Sequence, residues 1–458
     1  MEDRILISGA TIVNENRVFE GSVLIRDGLI EGVFHRDDPE VPVEDWENIE
    51  IIDARGLHLF PGVIDDQVHF REPGLTQKGD IYSESRAAVA GGVTSYMDMP
   101  NTDPKAVKLD ILEEKYRIAS RRSLANYSFF LGATNDNFSE IAKADSRRIC
   151  GLKVFLGAST GNMLVNDPEA LEKIFRDSKL LVAIHSEDEG IIRKNLDAFL
   201  EKYGENIPVE AHPLIRSEEA CYVSTEKAVN LARKYNTRLH ILHLSTAKEL
   251  ELLDTGVPLE KKRITAEVCV HHLWFNDQDY KEKGTLIKWN PAIKTEHDRN
   301  ALFEALKSGA IDIIATDHAP HLREEKLNPY RSCPSGAPLV QHSLVAMLEF
   351  YHRKKISLDK IVSKMAHAPA LLYRIKNRGY IRKGYFADLV LVDLRDPWKV
   401  EASNILYKCG WSPFEGVTFT SKVKHTFVNG NHVYRNGRFS ENLMGKRLEF
   451  NVTDRLKK

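Results

Sequence analysis

Eight short, apolar, β-rich runs separated by helical-period segments constrain this chain more than any other feature of its sequence. The runs are Leu59–Asp65, Val93–Asp98, Tyr127–Leu131, Gly151–Phe155, Leu180–His185, Arg238–His243, Ile264–Val268 and Ile311–Thr316. Between them lie stretches such as Ile111–Arg121, Ser224–Tyr235 and Arg299–Lys307, whose apolar residues recur at helical spacing. Strands alternating with helices give a parallel sheet, and eight such units over about 300 residues close into a barrel. The expected fold class is therefore α/β, a TIM-like (β/α)8 barrel, with a doubly wound open sheet as the fallback.

The two ends of the chain have a different texture. Arg4–Ile12, Arg17–Ile25, Leu29–Phe34 and Ile49–Asp53 carry β-formers broken by turn residues, and Ala387–Asp393, Val423–Asn429 and His432–Tyr434 repeat the pattern. Asn-Gly pairs at 429–430 and 436–437 predict tight hairpins. A small composite β-sandwich built from both termini follows: residues 1–57 and 367–458, flanking a barrel over 58–366.

Charge narrows the range of partners. Lys plus Arg number 64 against 66 for Asp plus Glu, a net charge of -2 over 458 residues. A nucleic-acid or membrane-surface protein needs a basic excess, so neither is expected. No apolar run approaches the ~20 residues of a membrane span, and the polar start reads as no secretory signal. The five cysteines are odd in number, far apart and outside any CxxC pair. They read as buried or incidental thiols in a reducing cytoplasm.

In a barrel of this kind the active site forms at the C-terminal ends of the strands. The first run leads to His69 and Arg71, and the second to Met99-Pro100-Asn101-Thr102. Lys153 lies within the fourth, His185 closes the fifth, His243 closes the sixth, and the eighth runs into Asp317 and His321. Any one of these alone has an ordinary explanation, such as a hydrogen-bonded histidine or a capping aspartate. Lys153 is stranger: an unpaired ammonium is costly to bury, so it needs an acid beside it or a changed amine. Together on one rim they describe a metal site.

The stretches PGVIDDQVHFREPG, AGGVTSYMDMPNTDP, GLKVFLGAST, HILHLST, TAEVCVHHLWF, KWNPAIK, ATDHAPH, SPFEG and GYFADLVLVDL make the reading specific. In their order and over essentially the whole length, the chain resembles the amidohydrolase superfamily and, within it, the longer bacterial-type (class I) dihydroorotases. The resemblance implies zinc bound by His69, Lys153, His185, His243 and Asp317, with Lys153 carboxylated by carbon dioxide to a bridging carbamate. It further implies Asp317 as proton shuttle and Arg71, Asn101 and His321 as the grip on a substrate carboxylate. Asn290 and the Ser335–Gly336 backbone would contact the ring amides. The implied reaction is the reversible cyclisation of N-carbamoyl-L-aspartate to (S)-dihydroorotate in pyrimidine biosynthesis. A guanidinium fork suits a planar carboxylate, and residues 69 and 71 of an extended segment point the same way.

One position departs from the family pattern. Where relatives carry His-x-His, this chain reads Gln67-Val68-His69. A neutral amide oxygen is a poorer zinc ligand than imidazole, so one firmly held zinc and one weakened site are expected. The smaller change to Pro291-Ala292-Ile293-Lys294, where relatives more often read Pro-Pro-Leu-Arg, alters little. The rival readings are an allantoinase or dihydropyrimidinase, which has no use for Arg71, and a non-catalytic dihydroorotase-like subunit that scaffolds a partner such as aspartate transcarbamoylase. A homodimer is what the resemblance implies for assembly.

Overall fold

Four two-residue turns shape the β-rich ends. Glu15–Asn16, Asp27–Gly28, Asn429–Gly430 and Asn436–Gly437 all have both residues at positive φ, the geometry whose twist matches a tight hairpin. The computed structural model describes residues 4–38, 49–157, 163–442 and 444–451. Ala158–Thr160 of the GLKVFLGAST motif, and the end of the chain after residue 451, lie outside the described residues.

The hairpins belong to one nine-stranded sheet drawn from both ends of the chain. Its seam joins His58–Pro61 antiparallel to Leu389–Asp393, with Leu391 opposite Leu59 and Val390 opposite Phe60. Alternation then divides the side chains. Leu59, Leu389 and Leu391 enter a cluster within the sheet domain with Ile7, Ile12 and Phe427, whereas Phe60, Val390 and Val392 join the barrel core. The same strands thus close their own core and fasten it to the barrel.

All eight barrel strands are present: Val63–Val68, Val93–Asp98, Asn126–Phe129 continued by Leu131–Gly132, Leu152–Phe155, Val182–His185, Leu239–Ile241, Ile264–Cys269 and Ile313–Ala315. Every pairing among them is parallel. The ring closes through a bridge between Val68 and His318, where the His69 N–H donates to the His318 carbonyl at 2.7 Å. The first run differs from the sequence expectation. Leu59–Asp65 is split at Gly62 between the end sheet and the barrel. Gly62 donates to the Asp388 carbonyl at 2.8 Å, and a Cβ there would lie 2.1 Å from Thr94 Oγ1. The chain crosses between its two units at a point with no room for a side chain.

The helices start earlier than their apolar periodicity suggests, because their first turns are polar. Glu218–Tyr235 begins at Ser217, whose side chain accepts from the Ala220 N–H. Glu296–Ser308 begins with a reciprocal Thr295–Asp298 capping box.

Candidate active site

The C-terminal rim of the barrel gathers His69, Lys153, His185, His243 and Asp317. Their side chains meet as two pairs, with the lysine within electrostatic reach of both. On one side His185 Nδ1 and His243 Nε2 face each other at 3.0 Å, their rings edge to face. On the other His69 Nε2 lies 3.2 Å from Asp317 Oδ1. The Lys153 charge is felt by Asp317 and by both histidines of the first pair. Three residues of the expected site, Arg71, His243 and Asp317, hold φ values of 67°, 40° and 48°. Non-glycine residues reach this left-handed region only where their surroundings hold them, and such positions concentrate at functional sites.

Two of the three imidazoles, His185 and His69, have their orientation fixed from behind. His185 Nε2 donates to Glu187 Oε2 at 2.9 Å, which leaves Nδ1 as the lone-pair nitrogen facing His243. Glu187 is itself paired with Arg216, and although burial opposes ionisation, the guanidinium and His185 hold its carboxyl down to about 2. His69 Nδ1 donates to Asn101 Oδ1 at 2.7 Å, directing Nε2 toward Asp317. The His243 backbone N–H is held by Glu267 Oε1 at 3.0 Å, while its Nδ1 is buried without a hydrogen-bond partner. Such outer partners set the tautomer of a metal-binding histidine. Two nitrogens sharing one tetrahedral zinc lie ~3.4 Å apart at bond lengths of ~2.1 Å, close to the spacing of the His185–His243 pair. These residues fit a metal.

Lys153 is fully buried, and among the described residues no salt bridge reaches it. Burial lowers its amine to about 7, so much of it is uncharged near neutrality. Asp317 and Glu267 act on the amine only from beyond salt-bridge distance, and the Phe155 ring lies 4.6 Å from it, so a chemically changed amine keeps its place. Gln67, where relatives carry histidine, sends its Nε2 to Asp317 Oδ1 at 3.2 Å. The amide turns a donor, not a lone pair, toward the aspartate.

The expected carboxylate grip lies beside this half. Arg71 is buried, which brings its guanidinium down to about 10; Nε donates to the Pro320 carbonyl at 3.0 Å and Nη2 lies 3.1 Å from His321 Nε2. Lys78 Nζ meets His321 Nδ1 at 3.0 Å and is itself paired with Glu325 at 2.8 Å. Asn101 accepts from His69 Nδ1, so it orients that ring. Asn290 Oδ1 is buried without a partner, an acceptor waiting for a donor. Gly336 has φ 123°, and a Cβ there would strike Ala319 at 2.8 Å. Its N–H is already given to the Lys288 carbonyl at 2.9 Å, and the Ser335 carbonyl is 3.1 Å from His321 Nε2.

Several supporting residues escaped the sequence reading. Asp98 accepts the Phe70 N–H at 2.8 Å, between His69 and Arg71, and is neutralised by Lys115 at 2.6 Å with both side chains fully buried. A lysine on the inner face of a helix was the available signal. Beneath the rim His240 lies between Asp66 and Glu267 at 3.4 and 3.2 Å, and Tyr373 donates to Asp66 at 2.8 Å. Burial resists the charge on His240, but the two carboxylates raise it to about 9, so the cluster carries its own cation.

Comparison with known proteins defines the class. The chain belongs to the amidohydrolase family, whose model matches residues 58–433. The fold agrees: the L-hydantoinase (dihydropyrimidinase) of Arthrobacter aurescens superposes with a TM-score of 0.88 at 25% identity, covering 96% of this chain and 98% of that one. The dihydropyrimidinase of Brevibacillus agri NCHU1002 gives 0.85 at 22% identity over 98% and 100% of the two chains. The sequence relatives are more particular. The dihydroorotase of Pyrococcus abyssi is 32% identical over 94% of this chain and 95% of its own length, and that of Anaplasma phagocytophilum 33% over 84% and 85%. The protein is accordingly a cyclic-amide hydrolase of the dihydroorotase type. Among the described residues no helix is long and apolar enough to cross a membrane.

Proposed function

We propose that the chain interconverts N-carbamoyl-L-aspartate and (S)-dihydroorotate as a zinc-dependent dihydroorotase of de novo pyrimidine synthesis, with Lys153 carboxylated. The observation that carries this reading is the junction of the two ligand pairs around an unpaired buried lysine, with a buried guanidinium alongside. A carbamate on Lys153 turns a costly buried amine into an anion satisfied by cations. A metal bound there supplies an activated water and polarises the amide carbonyl under attack.

The protein's own groups do the rest. Arg71, supported by His321 and Lys78, holds the acidic ring by its carboxylate. Asn290 Oδ1 accepts from a ring N–H, and Ser335 and Gly336 form the wall beside His321. Among the described residues the Asp317 hydrogen bonds fall on Oδ1. Oδ2 then takes the proton of the attacking water and returns it to the leaving nitrogen.

The hydantoinase-like fold keeps a second reading in view, since those enzymes also open cyclic amides. Arg71 separates the two, because dihydrouracil, hydantoin and allantoin carry no carboxylate to match it. We expect turnover of dihydroorotate far above that of the three neutral rings. Equal turnover of hydantoin or dihydrouracil, unchanged in Arg71→Met, would overturn the assignment.

A further inference from the structure

Behind Gln67, at the end of the seventh barrel strand, three residues place metal-binding atoms within 4.8 Å of one another: Cys269, His271 and His272. Their exposures are 0%, 0% and 2%, so no solvent satisfies them. His271 stacks flat on Trp289, ring centroids 4.1 Å apart, and neither of its ring nitrogens completes a hydrogen bond, although the Thr316 carbonyl faces it. His272 gives Nε2 to the Pro291 carbonyl at 3.3 Å, which leaves Nδ1 as a buried lone pair with no partner. The Cys269 thiol has only long sulfur contacts, 3.8 Å to Gln67 Oε1 and 3.9 Å to Glu267 Oε1.

Buried polar groups in native proteins are almost always paired, so three orphan nitrogens beside a thiol need an explanation. The other close cluster of the same kind, Asp66–His240–Glu267, is a hydrogen-bonded network around a charged imidazole. The Cys269 cluster has no internal cation. Its donors are one sulfur and two imidazoles, the set that selects zinc or another borderline-soft divalent ion over magnesium or calcium.

We infer that Cys269, His271 and His272 bind a divalent zinc-like cation at a site separate from the two ligand pairs of the rim. The Gln67 amide oxygen, facing the thiol, is the available fourth donor. Burial, and after it the nearby carboxylates, hold the proton on the Cys269 thiol; binding forms a metal–sulfur bond as that proton leaves for solvent, and the ion's charge offsets both. The ion ties the end of the seventh strand to Gln67 on the first. It arises on this chain beside the position where relatives have histidine and this one has Gln67. The inference does not depend on which cyclic amide is the substrate.

Cobalt separates this site from the rim, because none of the rim ligands is a sulfur. The full-length protein produced in cobalt-supplemented, zinc-depleted medium should show a near-ultraviolet thiolate-to-cobalt charge-transfer band. The band should persist in His185→Asn, which damages the rim, and disappear in Cys269→Ser with the loss of about one cobalt per chain. Absence of the band from folded wild-type protein that carries cobalt would overturn the inference, as would a band that survives Cys269→Ser. Should Cys269→Ser not fold, a zinc-edge anomalous map of the wild type decides: a peak among the three side chains supports the site, and none refutes it. Loss of dihydroorotate turnover with the charge-transfer band intact would sink the proposed function and leave this site standing.

Discussion

On the His185–His243 side of the rim the His185 ring is held from behind by the Glu187–Arg216 pair, and the His243 backbone is anchored by Glu267. On the other side His69 has Asn101 behind it, but its neighbour is an amide that donates to Asp317 instead of an imidazole that ligates. The two halves share Lys153 and the same barrel ends, yet only one presents two imidazole nitrogens to a common point. A barrel rim can therefore keep its architecture while one position changes the donors that each half presents.

The largest expected effects fall on what the halves share. Lys153→Ala removes the amine proposed to carry the bridging carbamate, and retained metal should fall on both sides when measured by elemental analysis after dialysis. Metal retention equal to wild type would show that Lys153 does not join the two halves. Asp317→Asn should lower kcat by about 10²–10⁴, the usual worth of a positioned acid–base group, with KM for dihydroorotate little changed. Next comes Arg71→Met: a lost charge-assisted hydrogen bond of about 1.5–3 kcal/mol raises KM roughly ten- to a hundredfold. A KM that does not move places the carboxylate elsewhere.

Glu187→Gln probes the well-supported half alone. Loss of an outer-shell carboxylate should weaken metal binding there by about 10–100-fold, read by competition with a chelator, while the His69 half is unaffected. The smallest effect is on pH. Free lysine ionises at ~10.4, but burial brings Lys153 to about 7, so its amine is largely uncharged above neutrality and protonated below it. Only the uncharged amine attacks carbon dioxide. Incorporation of ¹³C-bicarbonate into metal-free protein should rise as pH increases through 7; incorporation that rises only near pH 10 would contradict the burial argument.

The eight strands and the two Asn-Gly hairpins were legible because they rest on local rules, apolar runs and the backbone demands of turn residues. The residues that meet at the rim were legible because they follow strand ends and match a family pattern. What stayed hidden depends on distant packing. Nothing near Glu187 in sequence announces Arg216, and Asp98 finds Lys115 only when a helix lies over the second strand. The split of the first run at Gly62 follows from Thr94, more than thirty residues away. Cys269 read as an incidental thiol because the cluster depends on orphaned nitrogens, which only a packed structure reveals.

The inequality between the two halves of the rim is most directly tested by an anomalous-difference map at the zinc edge of crystals dialysed gently beforehand. A strong peak between His185, His243 and Lys153, with little or none between His69 and Asp317, is the predicted result, and Gln67→His should bring the second peak up. Equal peaks in both halves of the native protein, or a rim without zinc, would contradict it.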